Sequence, residues 1–234
     1  KFKKVYDNLY KAGTDSYDQD ESKTSNSKGA CVIKKTFLNA DKTYNNFVAY
    51  IVTRPTTEQG GAELFFEQTA MLCVYYNAIN LIEHSKLLII EWYKNNGFRS
   101  LLKLKPELVT ASWVDSDQTA NRYGIDPATK IHWLTMMRDY LRDKSNIDKC
   151  NHPELLNAWA KFRYEPGSGN KYNCDITIAT SLCIILEADE KELMVQEVKN
   201  SQPKGEMFSY YKADKNGIMV SSANFTQNNY TNVN

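Results

Sequence analysis

The hydrophobic pattern changes period along the chain. Short apolar stretches at Asn8 to Asp15, Ala30 to Phe37 and Phe47 to Thr53 are rich in Val, Ile and Phe and read as three strands. The polar, turn-forming stretch Ser16 to Lys28 separates the first two, Asn39 to Lys42 supplies a turn before the third, and Pro55 ends it. This predicts an antiparallel meander. From Gly61 to Asn77 the period becomes helical, with Phe65, Leu72 and Tyr76 recurring on one face. Ile79 to Glu83 is too short for a helix and reads as a buried strand, and Lys86 to Asn96 is helical up to the stop at Gly97. Leu108 to Val114, after Pro106, reads as a fifth strand. Ile131, Leu134, Met137 and Leu141 mark a further helix, and Pro153 opens a shorter one to Phe162. The loop Glu165 to Asn170 leads to an apolar helix from Asp175 to about Ala188. The text beyond residue 190 is polar and ends Asn-rich, which predicts a loosely ordered extension of residues 191–234 to a domain of residues 1–190. Three antiparallel strands followed by helix–strand alternation predict an α/β fold with a mixed five-stranded sheet and helices on both faces.

Composition narrows the classes. Of 234 residues, 42% are hydrophobic and 24% charged, as in ordinary globular chains. Mean hydropathy is −0.56, and no apolar run approaches the ~18 residues of a membrane span. Lys and Arg total 29 against 28 Asp and Glu, which excludes a protein that coats DNA by bulk charge but leaves room for a local basic patch. The five cysteines form no CxxC pair or zinc-like cluster, and their odd number, without a signal-peptide pattern, points to a reducing cytoplasm. The chain opens at Lys1 without a methionine, as a domain cut from a longer protein would.

Most carboxylates read as solvated surface charge. Three differ because they end apolar elements: Asp15 closes the first strand, Glu83 closes Ile79 to Glu83, and Asp175 opens the apolar helix. Strand alternation puts Glu83 on the face of Ile79 and Leu81, and helical spacing aligns Asp175 with Ala179, Leu182 and Leu186. A carboxylate at a core edge needs a partner, a cap or a metal. An N-cap role for Asp175 and a basic partner for Glu83 are the ordinary alternatives. Strand ends and a helix start that converge on one hollow would instead offer hard oxygen ligands for Mg²⁺ or Mn²⁺. Two such ions ~4 Å apart activate water and stabilise the leaving oxygen of a phosphodiester. The lack of His and Cys at the three positions disfavours zinc.

The passages Gly13-Thr-Asp15-Ser-Tyr-Asp18-Gln-Asp20, Tyr75-Tyr-Asn-Ala-Ile-Asn-Leu-Ile-Glu83-His-Ser and Tyr172-Asn-Cys-Asp175-Ile-Thr-Ile-Ala-Thr, in this order, resemble the nuclease domain of the large terminase subunit of tailed bacteriophages. Tyr50 to Pro55 with Phe65 to Gln68 is similar to the segment preceding the second motif, and the likeness covers about residues 5–190. The resemblance implies an RNase H-like fold and a two-metal endonuclease that cuts concatemeric viral DNA during genome packaging. It implies Asp15, Glu83 and Asp175 as catalytic, metal-binding triad. It also implies double-stranded DNA, the portal and the small terminase subunit as partners, and an ATPase motor N-terminal to the nuclease, acting in the infected bacterial cytoplasm. Many relatives carry paired acids after a histidine at the third motif, where Asn173-Cys174-Asp175 offers one; Asp18 or Asp20 is the candidate fourth ligand. Glu91 competes for the second position but falls in a helix-like passage. No GxxxxGK[ST] pattern occurs.

Lys103, Lys105, Arg122 and Lys130 are candidate phosphate contacts, with solvated surface charge as the plainer reading. The four tryptophans, Trp92, Trp113, Trp133 and Trp159, have apolar neighbours and read as core. Two other functions stand beside the terminase-type nuclease: another RNase H-like phosphoryl-transfer enzyme, of resolvase or integrase type, and a non-catalytic module that docks on portal or DNA. The isolated chain is expected to be monomeric.

Overall fold

A computed structural model describes residues 9–17, 28–36, 46–84, 86–108, 123–125, 129–162, 174–201, 211–213 and 219–221, with side chains up to residue 190. Two compact units divide after Glu192. The first is α/β. Strands β1 (Tyr10–Asp15), β2 (Gly29–Lys35) and β3 (Phe47–Thr53) precede helix α1 (Gly61–Tyr76) and strand β4 (Ile79–Ile82). Helices α2 (Leu87–Asn95), α3 (Lys130–Arg142), α4 (Lys144–Ile147), α5 (Pro153–Lys161) and α6 (Asp175–Ser201) follow. In the second unit, β5 (Tyr211–Ala213) and β6 (Met219–Ser221) form an antiparallel pair. No helix among the described residues is long and apolar enough to cross a membrane.

The sheet order is β3-β2-β1-β4. The first three strands pair antiparallel, as the meander predicts, with an irregularity between Ile33 and Lys34. β4 joins β1 in parallel, Thr14 opposite Ile82. Such a parallel join needs a crossover, and α1 provides it. Helix α1 buries Phe65, Phe66, Thr69, Ala70 and Cys73, while Leu72 and Tyr76 sit half-buried at the stripe's edge. Asn77 closes it in left-handed backbone at φ 49, a conformation Asn tolerates better than most residues.

The two-residue strand period sorts the core into two layers. Ala12, Cys31, Ile33 and Ile82 face α1 and α2. Ala30, Val32 and Leu81 face α3, α5 and α6, together with Trp133, Met137, Trp159, Ala179 and Leu182. Trp133 and Trp159 are buried and Trp92 packs half-buried against the α1–α2 layer, whereas Trp113 lies outside the described residues.

Two boundaries differ from expectation. The sheet has four strands among the described residues; Leu108 has helical backbone and the rest of the expected fifth strand, to residue 114, lies outside them. Beside β4, Leu102 and Ile125 make single parallel bridges to Asn80 and Glu83. Helix α6 also continues past Ala188 to Ser201. The acids around that point belong to the packed helix: Glu187 pairs with Lys34, Glu190 with Lys11, and the buried Asp189 with Lys103 at 3.3 Å. The Asp15–Ser16 end of β1, the Asn39 to Lys42 turn and the Glu165 to Asn170 loop lead into or fall on residues outside the description.

Candidate acidic site at the end of the sheet

Gly13 controls how α6 lies on β1. A Cβ at this position would run into the Ala179 carbonyl oxygen and lie 2.9 Å from the Cys183 amide nitrogen. Because glycine has none, the helix backbone rests directly on the strand. The Cys183 thiol donates to the Val32 carbonyl at 3.2 Å, and Lys11, two residues before Gly13, reaches Glu190. Going up β1 from Lys11 through Gly13 to Asp15 thus means going back along α6 from Glu190 through Cys183 and Ala179 towards Asp175. Strand alternation keeps Lys11, Gly13 and Asp15 on this one face.

Glu83 reaches the same face through the parallel pairing of β1 and β4. Its amide approaches the Thr14 carbonyl at 3.4 Å, and it bridges to Ile125 just beyond β4. Two side chains at the carboxyl ends of adjacent parallel strands are thereby buried, Asp15 at 6% exposure and Glu83 at 7%. Asp175 begins α6 half-buried, and its Oδ2 accepts a hydrogen bond from the Lys28 backbone amide at 2.8 Å. That amide immediately precedes β2, so the first residue of the helix is tied to the strand beside β1.

The electrostatics reflect this convergence. Burial, and then the negative charges of Glu83 and Asp175, hold the Asp15 carboxyl well above the usual carboxylate range, while Lys130 and Lys86 pull the other way. Burial also pushes the neighbouring Cys174 thiol up to about 11, which keeps it neutral and a poor ligand or nucleophile near pH 7. The donor set is one of hard oxygens and suits Mg²⁺ or Mn²⁺. Among the described residues, however, no three His, Cys, Asp or Glu side chains are gathered closely enough to form a finished metal cage. The three acids share a field and a face without closing on a common centre.

A buried polar chain backs the site from the opposite face. Thr14 Oγ1 donates to Asn80 Oδ1 at 2.9 Å, Asn80 Nδ2 to Tyr93 Oη at 3.3 Å, and Tyr93 Oη to Thr69 Oγ1 at 3.0 Å. It links β1, β4, α2 and α1 directly behind Asp15 and Glu83. Beside Glu83, His84 Nδ1 lies 2.8 Å from the Tyr123 carbonyl oxygen, and the His84 amide donates to Ile125 at 2.7 Å. Gly124 between them has φ 85, and a Cβ there would stand 2.5 Å from the Ile82 carbonyl, so this loop closes against β4 only with glycine.

The other candidates separate. Glu91 lies on the exposed face of α2, paired with Lys94 at 2.7 Å and away from the acids. Lys103 is engaged with Asp189, and Lys105 is buried at 7% exposure. Lys130 opens α3 with its ammonium 5.7 Å from the Trp133 ring centre. Asp18, Asp20 and Arg122 lie outside the described residues. Sequence reading missed the Lys28 amide, the Thr14–Asn80–Tyr93 chain and Lys86. A backbone donor leaves no mark in a sequence; Asn80 amid apolar Ile79, Leu81 and Ile82 was a usable sign of a buried polar contact. No protein-family model matches the chain, and no curated protein or solved structure matches it either.

Proposed function

We propose that this chain is a metal-dependent endodeoxyribonuclease with an RNase H-like fold, similar to the terminase large-subunit nuclease, and that Asp15, Glu83 and Asp175 are its metal-binding triad. The observation that carries the proposal is the convergence of these three acids, from β1, the end of β4 and the start of α6, on one face at one end of the sheet. In this reading the sheet has a fifth strand, as an RNase H-like fold requires, beyond the four among the described residues. Bound divalent ions would supply an activated water and charge neutralisation at the scissile phosphate. The protein's own part is to hold the carboxylates: Gly13 seats α6, the Lys28 amide orients Asp175, and the chain behind Thr14 and Asn80 steadies both strand ends. Burial and the neighbouring acids favour the protonated form of Asp15, and a bound cation would favour its carboxylate. Double-stranded viral DNA is the proposed substrate, with portal, small terminase subunit and an ATPase motor as partners in the infected bacterial cytoplasm.

A second reading, a docking module without catalysis, is favoured by the open spacing of the acids. Plasmid nicking with Mn²⁺, Mg²⁺ or EDTA separates the two. Metal-dependent cleavage that is lost in Asp15→Ala, Glu83→Ala and Asp175→Ala but kept in Glu91→Ala is the expected result. A folded wild type that neither cleaves nor binds Mn²⁺, yet retains portal binding, selects the docking module.

A further inference from the structure

Three acids on one face repel the phosphate that the proposed reaction must bring to them, so the chain needs cations of its own beside them. Two lysines stand there from separate elements. Lys86 lies at the start of α2, one tight turn after Glu83, its amide donating to the Glu83 carbonyl at 3.0 Å. Lys130 opens α3, its ammonium over Trp133, in the layer that also holds Leu81, Ile178 and the half-buried Cys174 next to Asp175. One lysine thus follows Glu83 closely in the chain, and the other heads a helix of the layer against which Cys174, the neighbour of Asp175, packs. Both are half-buried, and both act on Asp15. Lys103 contrasts with them, held in an ion pair with Asp189.

We infer that Lys86 and Lys130 form a two-armed clamp for a nucleic-acid backbone phosphate, holding it over the Asp15–Glu83–Asp175 face. The inference deepens the nuclease reading and rests on it for the location of the reacting phosphate. The clamp is a phosphate-holding device: flexible ammonium groups act as point charges on the backbone and carry no base specificity. With the carboxylates unmetallated, the same two charges offset part of the acids' mutual repulsion.

The test measures binding of a short DNA duplex in EDTA by fluorescence anisotropy, and nicking in Mn²⁺, for wild type, Lys86→Gln/Lys130→Gln and Lys86→Arg/Lys130→Arg. Losing the one clamped phosphate lowers the salt slope by about 0.9, so between about 50 and 200 mM salt the wild type should lose about three- to fourfold more affinity than the Gln pair. The Gln pair should also raise the KM of nicking more than it lowers kcat, and the Arg pair should restore both. Wild-type cleavage with an unchanged salt slope and KM in the Gln pair overturns the clamp and leaves the nuclease standing. Lysine-dependent binding by a wild type that never cleaves keeps the clamp and removes the nuclease. A folded wild type that does not bind the duplex overturns the clamp.

Discussion

Gly13 of β1 lies directly beneath the backbone of Ala179 in α6, with no room between them for a single methyl group. Everything at the acidic end of the sheet depends on this approach, since Asp15 stands two residues beyond Gly13 and Asp175 one helical turn before Ala179. Gly13→Ala should push α6 off the sheet. Overpacking of this kind costs about 1–3 kcal/mol, and an unyielding carbonyl oxygen places the change at the upper end. Urea unfolding should show a lower midpoint with little change in slope, and Mn²⁺ binding should weaken in the variant that still folds.

Asp15 makes stability depend on pH. Its folded-state carboxyl is raised by burial, then by Glu83 and Asp175, so the folded protein holds the proton longer than the unfolded chain does. The stability it contributes is complete below the unfolded carboxylate range, near about 3.9, and declines as pH rises from there through the raised folded value. Above that value the decline stops. Asp15→Asn should remove this dependence and raise the melting temperature near pH 7, while abolishing metal-dependent cleavage. Added Mn²⁺ should stabilise the wild type increasingly across the same window and leave Asp15→Asn almost unmoved. Thermal melts of the two proteins across pH, with and without Mn²⁺, measure this difference.

The ion pair of Lys11 and Glu190 should respond unequally to loss of its two members. Lys11 is 1% exposed and Glu190 17%, so removing the acid strands the more deeply buried charge. Burial already lowers the Lys11 pKa, with Glu190 opposing that shift. Glu190→Gln should therefore approach the roughly 3–5 kcal/mol typical of a broken buried pair, and Lys11→Met should cost less. The double variant Lys11→Met/Glu190→Gln should recover most of the loss. Chemical denaturation of all four proteins gives the coupling directly.

Tyr93 closes the buried polar chain behind the site. Tyr93→Phe leaves Asn80 Nδ2 without its acceptor and takes a donor from Thr69, at a cost of about 1–3 kcal/mol. Because Asn80 and Thr14 sit on the reverse side of the strands that carry Glu83 and Asp15, nicking should slow in a variant that remains folded. Equal loss of stability with undiminished nicking would limit the chain to a structural role.

Much of this arrangement was legible from local pattern. The period-two strands, the helical stripe of α1 and the stops at Pro55 and Gly97 each act within a few residues, and β3 falls on Phe47–Thr53 as predicted. The acids at element ends were found in the same way, because a charge that interrupts an apolar run is visible in one dimension. Even the shared face of Gly13 and Asp15 follows from alternation alone.

What the tertiary structure decided lies in contacts between distant segments. The burial of Lys11 and Lys34 against Glu190 and Glu187 is set by how α6 crosses the sheet, more than 150 residues away in the chain. The polar text past about residue 190 likewise reads as a tail, whereas the helix runs on to Ser201, its acids at 187, 189 and 190 paired with lysines from β2, the segment after α2, and β1. The Lys28 amide on Asp175 involves no side chain of Lys28 at all. Sequence alone determined which residues could be chemically unusual, through periodicity and local charge. Only packing, by the close approach that Gly13 permits and the parallel join of β1 to β4, determined that Asp15, Glu83 and Asp175 share one field.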